Sequence, residues 1–97
     1  MQYLKEFGLT EEELQEILDQ LTDDDWVYIT SSRTYVKKIL SYLTSIGITN
    51  IKDILMYRPS VLYEKFSDIK KNLEESSISN IVQQINEDVD NFELLGL

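Results

Sequence analysis

The stretch RTYVKKILSYLTSIGITNIKDILMYRP, Arg33 to Pro59, decides the fold. Tyr35, Val36, Ile39, Leu40, Leu43 and Ile46 recur at intervals of three and four residues, the period of one helix face rather than of a strand. Ser31, Ser32 or Thr34 is placed to cap this helix. Gly47 is placed to stop it, because a residue without Cβ enters a left-handed cap at little cost. Thr49 or Asn50 then caps a short helix carrying Ile51, Ile54, Leu55 and Met56. Pro59 cannot continue that helix and disfavours helical geometry at Arg58.

Toward the N-terminus the signal is equally helical. Thr10 and Glu13 form a capping-box pair, and Glu11, Glu12 and Glu13 sit at the positive end of the helix dipole. Leu14, Ile17, Leu18 and Leu21 make a single apolar stripe, and the helix is predicted to end near Leu21, before Thr22-Asp23-Asp24-Asp25. The run WVYIT, Trp26 to Thr30, has the aromatic and β-branched composition of a strand. No second such run offers it a partner, so it reads as a bent connection or first helical turn that buries Trp26 and Ile29. Toward the C-terminus, Pro59 suits the first turn of a new short helix with Val61, Leu62 and Phe66 inward. Ser67 is expected to cap a helix containing Ile69 and Leu73. Ser77 or Ser79 is expected to cap a last helix with Ile78, Ile81, Val82, Ile85 and Val89 on one side. The tail, Phe92, Leu94, Leu95 and Leu97 around Gly96, is either docked on the core or free to bind a partner.

The sum is an all-α chain forming a single small domain over residues 1–97, with about five or six short helices in stacked helix-turn-helix pairs. Composition agrees. One Pro and three Gly among 97 residues leave long regular elements, and 42% apolar residues are enough for one core. There are no Cys and no His, which excludes disulfides and thiolate metal sites and removes the commonest general base. No apolar run approaches the ~18 residues that span a bilayer, and no signal-peptide pattern opens the chain, so a cytoplasmic protein is expected.

Three segments line up as a weak internal repeat: FGLTEEELQEIL (Phe7 to Leu18), IGITNIKDIL (Ile46 to Leu55) and SSISNIVQQI (Ser76 to Ile85). Each has a small residue (Gly8, Gly47, Ser77), an aliphatic (Leu9, Ile48, Ile78), a hydroxyl (Thr10, Thr49, Ser79) and then a helix. The middle copy extends into YLTSIGITNIKDILMYRPSVLYEKFSDIKKNLE, Tyr42 to Glu74. It resembles one unit of the mitochondrial transcription termination factor (mTERF) repeat family through Leu43, Gly47-Ile48, Ile54-Leu55, Arg58-Pro59-Ser60-Val61-Leu62, Ile69 and Leu73. The resemblance covers about a third of the chain. It implies a solenoid of helical triplets in which the Pro opens a short helix, and nucleic-acid binding along a basic face. SIGITNIKDIL also looks like a helix-hairpin-helix element, whose turn amides hold a phosphate, with Asn50 where a second Gly would stand.

The net charge of −9 is unevenly distributed. Residues 1–30 carry −8, residues 31–72 carry +5 and residues 73–97 carry −6. Either the ends and the middle attract each other in the fold, or they form separate anionic and cationic faces. Asp23-Asp24-Asp25 and Glu87-Asp88-Asp90 are adjacent acids in polar runs, which read as a solvated cap or loop, with Asp25 as a helix cap, rather than as the shielded pair that carboxylate catalysis needs. Neither has the Gly of an EF-hand loop, although Asp88, Asp90 and Glu93 could hold a weak surface ion. The expectation is therefore a non-enzymatic protein-interaction module with no cofactor, metal, membrane or small-molecule substrate. Its acidic face, Glu12, Glu13, Glu16 and Asp19, would meet a basic partner, as in an inhibitor or regulator of a nucleic-acid-binding protein. The alternative is a nucleic-acid-binding module using Arg33, Lys37, Lys38, Lys52, Arg58, Lys65, Lys70 and Lys71, with Tyr35, Tyr57 and Tyr63 for stacking.

Overall fold

The computed structural model of the protein describes residues 2–97 and is helical throughout, with no strand among those residues. Six α-helices follow in order: α1 (Glu11–Gln20), α2 (Asp23–Ser31), α3 (Arg33–Ser45), α4 (Ile51–Tyr57), α5 (Phe66–Glu75) and α6 (Ile78–Glu87). Three 3-10 segments, Gln2–Phe7, Pro59–Tyr63 and Val89–Leu95, complete the chain. The sequence offers no signal for the first of these, and the third takes in Val89, expected on the last helix but lying beyond its end at Glu87.

Local chemistry sets most boundaries. The Thr10 hydroxyl accepts from the Glu13 amide at 3.2 Å and the Glu13 carboxylate accepts from the Thr10 amide at 3.1 Å, closing the expected capping box. The run WVYIT lies inside α2, because Thr22 caps that helix, its hydroxyl accepting from the Asp25 amide at 3.1 Å. Three aspartates then occupy the first turn, where the dipole favours them. Asp25 is therefore a first-turn residue and not the cap. Gly47 stops α3 at φ +105°, a conformation any Cβ would strain. Pro59 opens its 3-10 turn as expected.

Four expected caps differ. Helix α5 begins at Phe66, so Ser67 lies inside its first turn. The orphan Phe66 amide donates instead to the Tyr35 hydroxyl of α3 at 2.8 Å, a tertiary contact in place of a local cap. Asn50 occupies the position before α4, but its side-chain amide donates to the Ile85 carbonyl at 2.7 Å and leaves the helix end uncapped. Ser32 and Ser77 hold the cap positions of α3 and α6 without a side-chain hydrogen bond. Of the three aligned hydroxyls, only Thr10 caps its helix. Thr49 lies one residue too early, and Ser79 is already helical.

The buried apolar residues form one contiguous cluster drawn from every segment. Helices α2 and α3 pack as neighbours, as do α5 and α6. Helix α4 instead lies chiefly against α1 and the C-terminal 3-10 segment, so it joins the two ends of the chain. Ile51, Ile54 and Leu55 of α4 are all buried there. The tail is docked. Phe92 is fully buried, the Asn91 side chain donates to the Gln84 carbonyl at 2.7 Å, and Leu95 and Leu97 pack on the core, with only Leu94 exposed. Trp26, expected to be buried, is 43% exposed, while Ile29 is buried as expected. A helical WVYIT segment puts the two residues on different sides of the inner edge.

Candidate functional site

The position of α4 between the ends of the chain decides where its cations go. Lys52 pairs with Glu16 of α1, a contact that also raises the lysine pKa through the hydrogen bond to that carboxylate. Arg58, just after α4, approaches Glu93 at 3.3 Å and Asp90 at 3.9 Å, and donates to the Leu97 carbonyl at 2.7 Å. Lys37 pairs with Glu6 at 2.9 Å. Lys70 and Lys71 lie near 4 Å from Glu74 and Glu75, one helical turn along α5. Arg33 and Lys38 lie over the Tyr3 and Phe66 rings, at 5.9 and 4.5 Å from their centroids. Of the eight cations of the middle segment, Lys65 alone has neither an ion pair nor a ring contact among the described residues, and it is exposed. The expected stacking tyrosines are equally divided. Tyr35 is tied between Glu64 and Phe66, Tyr63 stacks on Tyr28 with ring centroids 4.1 Å apart, and Tyr57 is exposed.

The acidic face of α1 is partly committed to structure. Glu13 closes the capping box, Glu16 holds Lys52, and Asp19 accepts from the Gln15 side chain at 3.1 Å. Glu12 is exposed and enters no ion pair among the described residues. Glu12, Glu16 and Asp19, spaced by four and three residues, share one side of the helix, and Glu13 lies at its edge, three residues from Glu16. Next to this helix the Lys5 ammonium bonds Glu11 and holds its carboxyl below the usual range.

The turn between α3 and α4, the candidate phosphate-holding hairpin, is locked from within. The Asn86 side chain accepts from the Thr49 amide at 2.9 Å and donates to the Gly47 carbonyl at 3.0 Å. A phosphate at that amide would have to displace Asn86.

Two further surfaces stand out, the first of which includes the Glu87-Asp88-Asp90 run. An open cleft of about 510 Å³ is lined by Asp53, Tyr57, Glu87, Asp88, Val89 and Asp90. It is acidic with one exposed phenol ring, and a cationic side chain is the group it suits electrostatically. No group of three or more carboxylates converges to hold a metal ion among the described residues. The second surface is the outer side of α2, where Trp26 and Val27 are 43% and 53% exposed. On the inner side of the same helix Tyr63 donates to the Asp25 carboxylate at 2.7 Å, and this bond together with desolvation pushes the phenol up to about 12. The outer side does carry a sequence signal. In a helix, Val27 has Asp23, Asp24, Thr30 and Ser31 as its neighbours three and four residues away, all polar.

No helix among the described residues is long and apolar enough to cross a membrane. Comparison with known protein families, curated proteins and solved structures gives no match for this chain.

Proposed function

We propose that this chain is a non-enzymatic protein-binding module that engages a basic partner through its acidic surface. One observation carries the reading: the cations of residues 31–72 are met largely by carboxylates from the two acidic ends, through Lys37–Glu6, Lys52–Glu16, Arg58–Glu93, Lys70–Glu74 and Lys71–Glu75. The charge of the middle segment is thereby neutralised at home. The excess acid, including Glu12, Asp23, Asp24, Glu87 and Asp88, stays on the surface without an ion pair among the described residues. An unneutralised field of one sign selects a partner of the other and steers its approach. Among the described residues no polar or charged side chain is buried, so no carboxylate has the shielded setting that acid catalysis uses.

The nucleic-acid alternative would require the same cations to leave these pairs and converge on phosphates. Descent from a helical-repeat unit, suggested by Tyr42–Glu74, belongs to the proposal as well. It is supported by the burial of Leu43, Ile48, Ile54, Leu55, Val61, Leu62, Ile69 and Leu73, the apolar set on which that resemblance rests.

The test is affinity capture from the native cell at low salt, with the wild-type chain beside Glu12→Lys/Asp19→Lys. The expected result is recovery of a basic protein that the double variant and raised salt both release. Recovery of nucleic acid instead, with retention of the wild type on heparin, would transfer the reading to the basic residues.

A further inference from the structure

Helix α2 is held from its inner side alone. Ile29 enters the core at 1% exposure, and the Tyr28 hydroxyl donates to the Leu62 carbonyl at 2.7 Å. On the outer side Trp26 and Val27 stand next to each other in solvent. Asp23 lies a turn before them and Thr30 a turn after, on the same face. Thr30 turns its hydroxyl back onto the Trp26 and Val27 carbonyls, at 2.9 and 3.1 Å, so it does not compete for a ligand there. From Trp26 to Ser32 the chain carries no charge, whereas Asp23 and Asp24 of the first turn are exposed. The feature is an apolar pair bordered on one side by unneutralised acid.

Burial of a tryptophan ring is worth more than burial of any aliphatic group of the surface. Such rings concentrate the binding energy of protein interfaces when a partner covers them. The bordering charge identifies what covers this one. A second copy would bring the same acidic turn and a further net charge of −9 to the contact, and like charges repel. A segment with an apolar side chain and a Lys or Arg one helical turn away matches both parts of the surface.

We propose that the outer face of α2, centred on Trp26 and Val27, docks a basic amphipathic segment of another protein, with its apolar side chains over the indole and its cations against Asp23 and Asp24. The inference rests on the protein-binding reading above and gives that reading a surface distinct from the α1 acids.

Trp26 is the single tryptophan, so its emission reports directly on cover at this face. The probes are a synthetic Leu/Lys peptide with helical amphipathic spacing and a polylysine of equal charge, each titrated into the full chain and followed by fluorescence and calorimetry. The Leu/Lys peptide is expected to shift the emission saturably to shorter wavelength. Polylysine is expected to bind without the shift. Val27→Glu should weaken the Leu/Lys peptide about tenfold or more despite adding negative charge, because it removes apolar cover. Asp23→Asn/Asp24→Asn should weaken it by a smaller factor and flatten its salt dependence. Circular dichroism checks that each variant keeps its helices, and Trp26→Ala, followed by calorimetry alone, repeats the test if Val27→Glu does not. The proposal fails if the peptide binds with unmoved emission, if it binds Val27→Glu or Trp26→Ala as tightly as wild type, or if it binds no better than polylysine. In all three cases the broader acidic-surface reading survives. If neither probe binds at low salt, both fall together.

Discussion

Helices α6 and α2 are nearly equal in length and opposite in use. Helix α6 places Ile81, Val82 and Ile85 in the core, and its Asn86 reaches across to bind both sides of the α3–α4 turn. Helix α2 buries Ile29 alone and turns Trp26 and Val27 to solvent. The difference follows from pattern. In α6 apolar residues recur at Ile78, Ile81, Val82 and Ile85, so one stripe closes against α5 and the tail. In α2 the apolar residues Trp26, Val27, Tyr28 and Ile29 are consecutive, and consecutive residues point around the whole helix. A run without helical period cannot bury all of its members against one neighbour. What it leaves outside is available for other work.

The comparison is broken most severely at Ile85, which is fully buried and whose carbonyl also receives the Asn50 amide. Ile85→Ala is expected to cost about 2–5 kcal/mol through lost transfer energy and the cavity left behind. Urea unfolding followed by circular dichroism measures it, and a cost under 1 kcal/mol would mean α6 is not part of the core. Asn86→Ala comes next, at about 1–2 kcal/mol, because it removes two hydrogen bonds but leaves the Thr49 amide and Gly47 carbonyl where water can reach them. Hydrogen exchange should then report faster opening of the Thr49 amide than of α5.

These two helices also mark what was legible in the sequence. The α6 core residues, the Thr10 box and the Gly47 stop could be read because each depends on neighbours within one helical turn. The position of α4 could not, because its place between α1 and the tail depends on contacts of high sequence separation. With it went the fate of the cations. Lys52, Arg58 and Lys37 look like a basic stripe until Glu16, Glu93 and Glu6 are brought beside them. The start of α5 was misplaced for the same reason, since Tyr35 from α3 supplies what Ser67 was expected to give. Residue type alone puts Trp26 in the core, whereas helical geometry over WVYIT surrounds Val27 with polar neighbours and so marks an outer face.

On the inner side of α2, phenols link this helix to the segment after Pro59. Tyr28 donates to Leu62, and Tyr63 stacks on Tyr28 and donates to Asp25. The Tyr63 pKa is pushed up to about 12 from an ordinary 10, chiefly by the bond to Asp25. Tyr28 is raised too, by burial. Groups raised on folding hold their protons longer in the folded chain than in the unfolded one. Their contribution is therefore complete below about pH 10 and is lost as pH climbs toward about 12. Denaturant midpoints measured across that window should fall with pH. Tyr63→Phe should make the fall shallower while changing the midpoint at neutral pH little, since the phenol is half exposed.

The smallest effects are expected at Trp26 and Val27, and they are the most informative about the comparison. A tryptophan truncated in a core costs about 3–5 kcal/mol. Trp26 is 43% exposed on a helix held by other residues, so Trp26→Ala should change stability by about 1 kcal/mol or less, and Val27→Ala by about 0.5 kcal/mol or less. Alanine is also the better helix former, which offsets part of the lost ring contact. A loss near the core value would mean that the indole packs inward in solution and that α2 has no free face. A loss close to zero would leave a large apolar ring that folding does not require.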